Sequence, residues 1–99
     1  MENRDILERS IERYLRKIVI ESGGMCLKWV CPQHRGVPDR LVLLKSKVYF
    51  VEIKSPKGVL SRLQHEFAWE LVKHGYIHHV VRTKEQADEF VKGVLNGTI

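Results

Sequence analysis

Residues 38 to 54 read PDRLVLLKSKVYFVEIK, and a single hairpin drawn through them organises the rest of the chain. Two apolar runs, residues 41–44 and 48–51, are split by Lys45-Ser46-Lys47. If Lys45 and Ser46 make a two-residue turn, Leu44 pairs with Lys47 and the numbers of paired residues sum to 91. Asp39 then lies opposite Glu52, and Lys54 follows two residues on, on the same strand face as Glu52. Two carboxylates about 5 Å apart repel unless a cation lies between them. An acid followed two residues later by a lysine is ordinarily a solvated surface pair. Here Glu52 and Lys54 interrupt an apolar strand, where charge is costly without a partner, and Asp39 holds the opposed register. Both strands are apolar on both faces, as expected of central strands covered from two sides.

Working outward, residues 5–22 place Leu7, Ile11, Tyr14, Leu15 and Ile18 at helical spacing, and Gly23-Gly24 closes that helix. Residues 25–30 read as a strand and residues 31–36 as a loop. Past the hairpin, Ser55-Pro56-Lys57-Gly58 is a second loop. Ser61 with Gln64 forms a capping box for a helix running to about His74, with Leu60, Phe67, Ala68 and Leu71 inward and Gly75 as its stop. Residues 76–82 read as a fourth strand. Thr83 caps a last helix that buries Ala87, Phe90, Val91 and Val94. The order α-β-β-β-α-β-α, with a right-handed β-α-β crossover, predicts one α/β domain over residues 1–99, a mixed sheet between helices.

The net charge of +5 and pI near 9.4 favour a polyanionic partner. No apolar run is long enough to span a bilayer, and the first ten residues lack signal-peptide character. Two cysteines, Cys26 and Cys31, fit a reducing compartment. With His34 they lack the second close pair that a structural zinc site uses. Two carboxylates and a backbone carbonyl on adjacent strands are instead a hard oxygen set, suited to Mg²⁺ or Mn²⁺. Lys54 beside such a cation can orient a water and neutralise charge growing on a phosphate. Arg35, Lys57 and Arg62 flank the acids and are candidates for phosphate contact, although exposed basic residues are usually only solvated. Pro38 stiffens the chain before Asp39, and Gly36 allows a turn or a close backbone approach.

Asp39 followed by Glu52-Ile53-Lys54 resembles the PD-(D/E)XK nuclease pattern. The longer wording, Arg35-Gly36-Val37-Pro38-Asp39-Arg40, then Phe50-Val51-Glu52-Ile53-Lys54, then Leu60-Ser61-x-x-Gln64, resembles the VRR-NUC group (virus-type replication-repair nucleases). The likeness takes in an acid-bearing first helix ahead of Gly23-Gly24, and so covers nearly the whole chain. It implies a restriction-endonuclease-like α-β-β-β-α-β core, here with an added C-terminal helix. It also implies metal-dependent phosphodiester cleavage in DNA. For stand-alone members it implies a homodimer acting on branched DNA such as four-way (Holliday) junctions. Carried over by residue, Asp39 and Glu52 ligate Mg²⁺ or Mn²⁺, Ile53 offers its carbonyl, Lys54 handles the nucleophilic water, and Gln64 steadies the site. Glu8 and Glu12 both compete to be the first-helix acid, and Ile11-Glu12-x-Tyr14-Leu15 favours Glu12. The length resembles phage and bacterial stand-alone members, which implies a cytoplasmic setting. Ser55-Pro56-Lys57 departs from the common wording. The competing readings are a non-cleaving, structure-selective DNA-binding module and a monomeric flap or nick nuclease.

Overall fold

Lys45 and Ser46 reverse the chain in the computed structural model, which describes residues 3–99. Both take positive φ, 53° and 65°, the type I′ geometry whose twist matches that of paired strands. The strands they join are β2 (Arg40–Leu44) and β3 (Lys47–Ile53). Leu44 pairs with Lys47 and Arg40 with Val51, as the turn requires. One step beyond the ladder, that register sets Asp39 across from Glu52.

Five further elements complete the fold: α1 (Asn3–Glu21), β1 (Met25–Lys28), α2 (Arg62–Lys73), β4 (His78–Val81) and α3 (Lys84–Asn96). The sheet order is β1-β2-β3-β4. β1 runs antiparallel to β2, and β4 runs parallel to β3. The sheet is therefore mixed, with the hairpin strands central, as expected.

Alternation divides the sheet into two unlike faces. Cys26, Val42, Leu44, Tyr49, Val51, Ile53 and Val81 point to one, where they pack with Ile11, Leu15 and Val19 of α1 and Ala87, Phe90, Val91 and Val94 of α3 into a continuous core. The other face carries α2. Trp29 sits there between Phe50 and Phe67, with ring centroids 5.7 Å away on each side, and Tyr76 stacks edge-on to Phe50. At twelve residues α2 covers only part of this face. Met25, Leu43 and Val48, cross-strand neighbours in one row, stay 37–52% exposed. The expectation that both strands are covered from two sides holds on the first face and fails toward the turn on the second.

Several boundaries differ from the sequence reading for identifiable reasons. The fourth strand is His78–Val81 rather than residues 76–82, because caps claim both ends. Tyr76 N–H donates to the Leu71 carbonyl (2.8 Å) and Gly75 N–H to that of Val72 (3.0 Å), closing α2 in a Schellman motif with Gly75 at φ 87°. Arg82 N–H donates to Gln86 Oε1 at 2.7 Å. The first strand stops at Lys28, not residue 30. In α1 the buried stripe is Ile11, Leu15 and Val19, with Tyr14 and Ile18 packed against it. Leu7, expected inside, is 47% exposed, since this part of α1 lies level with Ser55, past the end of β3. Of the α2 residues expected inside, Leu71 is buried and Phe67 and Ala68 are half-buried, as is Leu60 ahead of the helix. Among the described residues no helix is long and apolar enough to cross a membrane.

Candidate active site

The site forms where β2 begins and β3 ends. Glu52 is 1% exposed, and a carboxylate is costly to bury in a sheet without a partner. Its two oxygens are unlike. Oε2 accepts from Gln64 Nε2 at 2.8 Å and lies 3.8 Å from Lys54 Nζ. Oε1 is buried with no hydrogen-bond partner. Burial pushes the Glu52 carboxyl up to about 8 from an ordinary 4.5, with the Asp39 charge adding to the rise and Lys54 opposing it. Asp39 is also raised, chiefly by burial. Its Oδ2 accepts from the Ile53 N–H at 2.8 Å, which works against that rise.

Three elements hold these groups. The hairpin register brings Asp39 and Glu52 together. The capping box of α2 places Gln64: its N–H donates to Ser61 Oγ (3.1 Å), its Oε1 accepts from Ser61 N–H (2.8 Å), and its Nε2 remains for Glu52. From α1, Glu8 and Glu12 reach a cleft of about 340 Å³ that Arg9, Asp39 and Ile53 also line. The two helix acids have different partners. Glu12 Oε2 accepts from Arg40 Nε at 2.6 Å, and Arg40 Nη1 also reaches the Cys26 carbonyl. Glu8 Oε2 accepts from the Ser55 N–H at 3.2 Å, next to Lys54, and its charge is felt by Glu52.

The donor set fits a hard divalent cation. Two neighbouring carboxylates have their protons held up by burial: Asp39 lines the cleft, and the buried Glu52 keeps an oxygen to which no described group donates. A cation is the natural replacement for the missing proton or partner. Among the described residues no three His, Cys, Asp or Glu side chains form a ready cage, so a cation here would complete its shell with the Ile53 carbonyl, water and substrate oxygens.

The basic sequence candidates are surface residues, none of them in the cleft that Asp39 lines. Arg35 is exposed and lines, with Gln33 and His34, a larger groove of about 560 Å³ against α2. Lys57 is exposed. Arg62 is exposed and pairs with Glu66 at 3.1 Å. Cys26 is buried and Cys31 half-buried, both as free thiols. Trp29 packs inside, whereas Trp69 is 61% exposed. Three supporting residues escaped the sequence reading. Ser55 is buried and offers its N–H to Glu8. Arg40, one residue after Asp39, neutralises Glu12. Arg82 donates from Nη1 to the carbonyls of Ser55 and Gly58, clamping the loop after Lys54. Strand alternation predicts that Arg40 points to the other face from Asp39; nothing local announces Arg82.

No family model matches the chain. A phage protein named "Putative nuclease p44", from Acyrthosiphon pisum secondary endosymbiont phage 1, is 52% identical over 52 residues; the match spans 52% of this chain and 56% of that protein. A solved structure described as "VRR_NUC domain" superposes with a TM-score of 0.79 at 25% identity, over 86% of this chain and 94% of its own. A second, a "VRR_NUC domain protein", gives a TM-score of 0.68 at 13% identity over 96% and 89%, a likeness of fold alone.

Proposed function

We propose that this chain, which has the fold and the motif order of the VRR-NUC nucleases, is a divalent-metal-dependent endonuclease that hydrolyses phosphodiester bonds in DNA. The observation that carries the reading is Glu52: a fully buried carboxylate opposite Asp39, with one oxygen held by Gln64 and Lys54 and the other unsatisfied. Asp39, Glu52 and the Ile53 carbonyl would hold Mg²⁺ or Mn²⁺. When bound, such a cation supplies charge for the scissile phosphate and lowers the pKa of a coordinated water. Lys54, 16% exposed beside Glu52, orients that water and offsets charge on the phosphate. Gln64 keeps Glu52 in one rotamer. Glu8 is favoured over Glu12 as the first-helix acid, because Glu12 is committed to Arg40 while Glu8 sits beside Ser55 and Lys54.

The preferred substrate in this reading is branched DNA such as a four-way junction, cut in the bacterial cytoplasm by a homodimer of phage or bacterial origin. Support for pairing comes from the exposed apolar row Met25, Leu43 and Val48, contiguous across three strands. Arg35, Lys57 and Arg62 would grip phosphates, so binding should weaken steeply with salt. The test is incubation of labelled junction, flap and duplex DNA with Mn²⁺, Mg²⁺ or chelator. Metal-dependent cutting of the junction, lost in Glu52→Gln, supports the proposal. Binding without cutting under every condition would leave a structure-selective DNA-binding module instead.

A further inference from the structure

We propose that Gly36 is a positioning residue: by lacking a side chain it lets the loop before Asp39 lie backbone to backbone on the first turn of α2, and this contact holds Gln64 against Glu52. The proposal rests on the reading of Asp39 and Glu52 as cation ligands. Gly36 has φ 86°. A Cβ there would fall 2.5 Å from the Leu63 carbonyl carbon and 2.9 Å from the Gln64 amide nitrogen, and against the Leu63 carbonyl oxygen. These are backbone atoms of a helix and cannot rotate aside. Either the loop or the helix must move.

Both movements reach the acids. On the loop side, Asp39 follows by three residues, and the intervening Pro38 is stiff and fully buried. On the helix side, Gln64 is the residue whose amide the Cβ would strike. Its side chain cannot stretch to compensate, because Oε1 is engaged by Ser61 while Nε2 reaches Glu52. Opening the 2.5 Å contact to ordinary van der Waals distance needs a movement of roughly an ångström, and about half of that carries a 2.8 Å bond beyond the limit of about 3.2 Å for a good hydrogen bond. His34, with its ring 5.9 Å from that of Phe67, ties the same loop to α2 a turn further on.

Gly75 supplies the control. It has nearly the same φ, 87°, but an added Cβ there meets nothing within 4 Å. Gly36→Ala and Gly75→Ala therefore share the strain of an L-residue at positive φ and differ in the contact. Calorimetric titration of the full chain with Mn²⁺, alongside thermal melts, separates the two effects. Both variants should melt earlier. Only Gly36→Ala should bind Mn²⁺ more weakly, by about tenfold or more, the usual cost of freeing a ligand from its outer support. Adding Gln64→Ala to Gly36→Ala should weaken binding no further, because one link is being broken twice. Equal Mn²⁺ affinity in the two glycine variants, or fully multiplicative losses for Gly36→Ala and Gln64→Ala, overturns the proposal. A wild-type protein whose Mn²⁺ uptake is absent, or is unchanged by Asp39→Ala, removes the underlying reading and the proposal with it. If Gly36→Ala does not fold, amide hydrogen exchange of the wild type decides. Mn²⁺ should slow exchange in residues 33–38 and 61–65 together, and slowing confined to the acid-bearing strands contradicts the link.

Discussion

The β2–β3 hairpin has two ends built by different means. At the turn end everything is local: two residues at positive φ, a two-residue reversal and a register that follows from it. At the acid end the hairpin supplies only the opposition of Asp39 and Glu52. Gln64 from α2 then holds Glu52, Glu8 and Glu12 from α1 add charge beside the pair, and Arg82 from beyond β4 clamps the loop after Lys54. The first end is set by short-range geometry. The second is a set of buried charges that only long-range contacts make tolerable, which is the usual mark of a functional site within a stable fold.

Substitutions at the acid end should therefore be severe for chemistry and mild for folding. Asp39→Ala or Glu52→Ala should cut junction cleavage by about 10³-fold or more, the scale of losing several kcal/mol of metal-derived stabilisation. Above about pH 8, where Glu52 is ionised, the metal-free variants should melt at the same temperature as the parent or higher, since the repulsion of the pair is relieved. Cleavage at the parental rate in either variant would separate the acids from the chemistry. Lys54→Ala should lower single-turnover cleavage by about 10²-fold while calorimetry still finds Mn²⁺ binding. A lost isotherm would make Lys54 a structural member of the cluster.

The pH dependence carries the same contrast. Glu52 holds its proton in the fold up to about 8, while in the unfolded chain it releases it near 4.5. The folded state thus binds more protons between those values, and metal-free stability should fall as pH rises through that window. The fall should be on the order of 2 kcal/mol, allowing for relaxation of a carboxyl beside an open cleft. Denaturant melts at pH 5 and pH 8 would show it, and Glu52→Gln should flatten it. An equal slope in Glu52→Gln would assign the effect to other groups.

How much of this could be read from the chain alone follows the same division. The register, the capping box at Ser61 and Gln64, and the stops at Gly23-Gly24 and Gly75 are short-range and were readable. So was the fold class, because central strands announce themselves by apolar runs. The partners of the two helix acids were not. Glu8 and Glu12 are four residues apart on one helix face, and only the tertiary placement of Ser55 and Arg40 distinguishes them. The fourth strand was drawn too long because apolar residues 76 and 77 fit a strand, while the Schellman bonds that claim Tyr76 depend on the preceding helix.

Smaller effects sharpen the comparison. Gln64→Ala should weaken Mn²⁺ binding about tenfold by titration and lower the melting temperature by about 4 °C or more, because the exposed cap it also serves contributes about 1 kcal/mol. At the other end, Ser46→Gly relieves positive φ at an exposed turn. It should stabilise the protein by about 0.5 kcal/mol once the added freedom of the unfolded chain is subtracted, and leave cleavage unchanged. A change in cleavage would show that the two ends are coupled.

Proton release on Mn²⁺ binding speaks most directly to the buried acid pair. Calorimetric titrations near pH 6.5, in buffers of different ionisation enthalpy, count the protons displaced. If the cation takes the place of the proton on Glu52, about one proton leaves per Mn²⁺ bound, the number falls toward zero above pH 9, and Glu52→Gln releases none. Mn²⁺ binding of undiminished affinity in Glu52→Gln, or with undiminished proton release there, would contradict the assignment of Asp39 and Glu52 as the cation site.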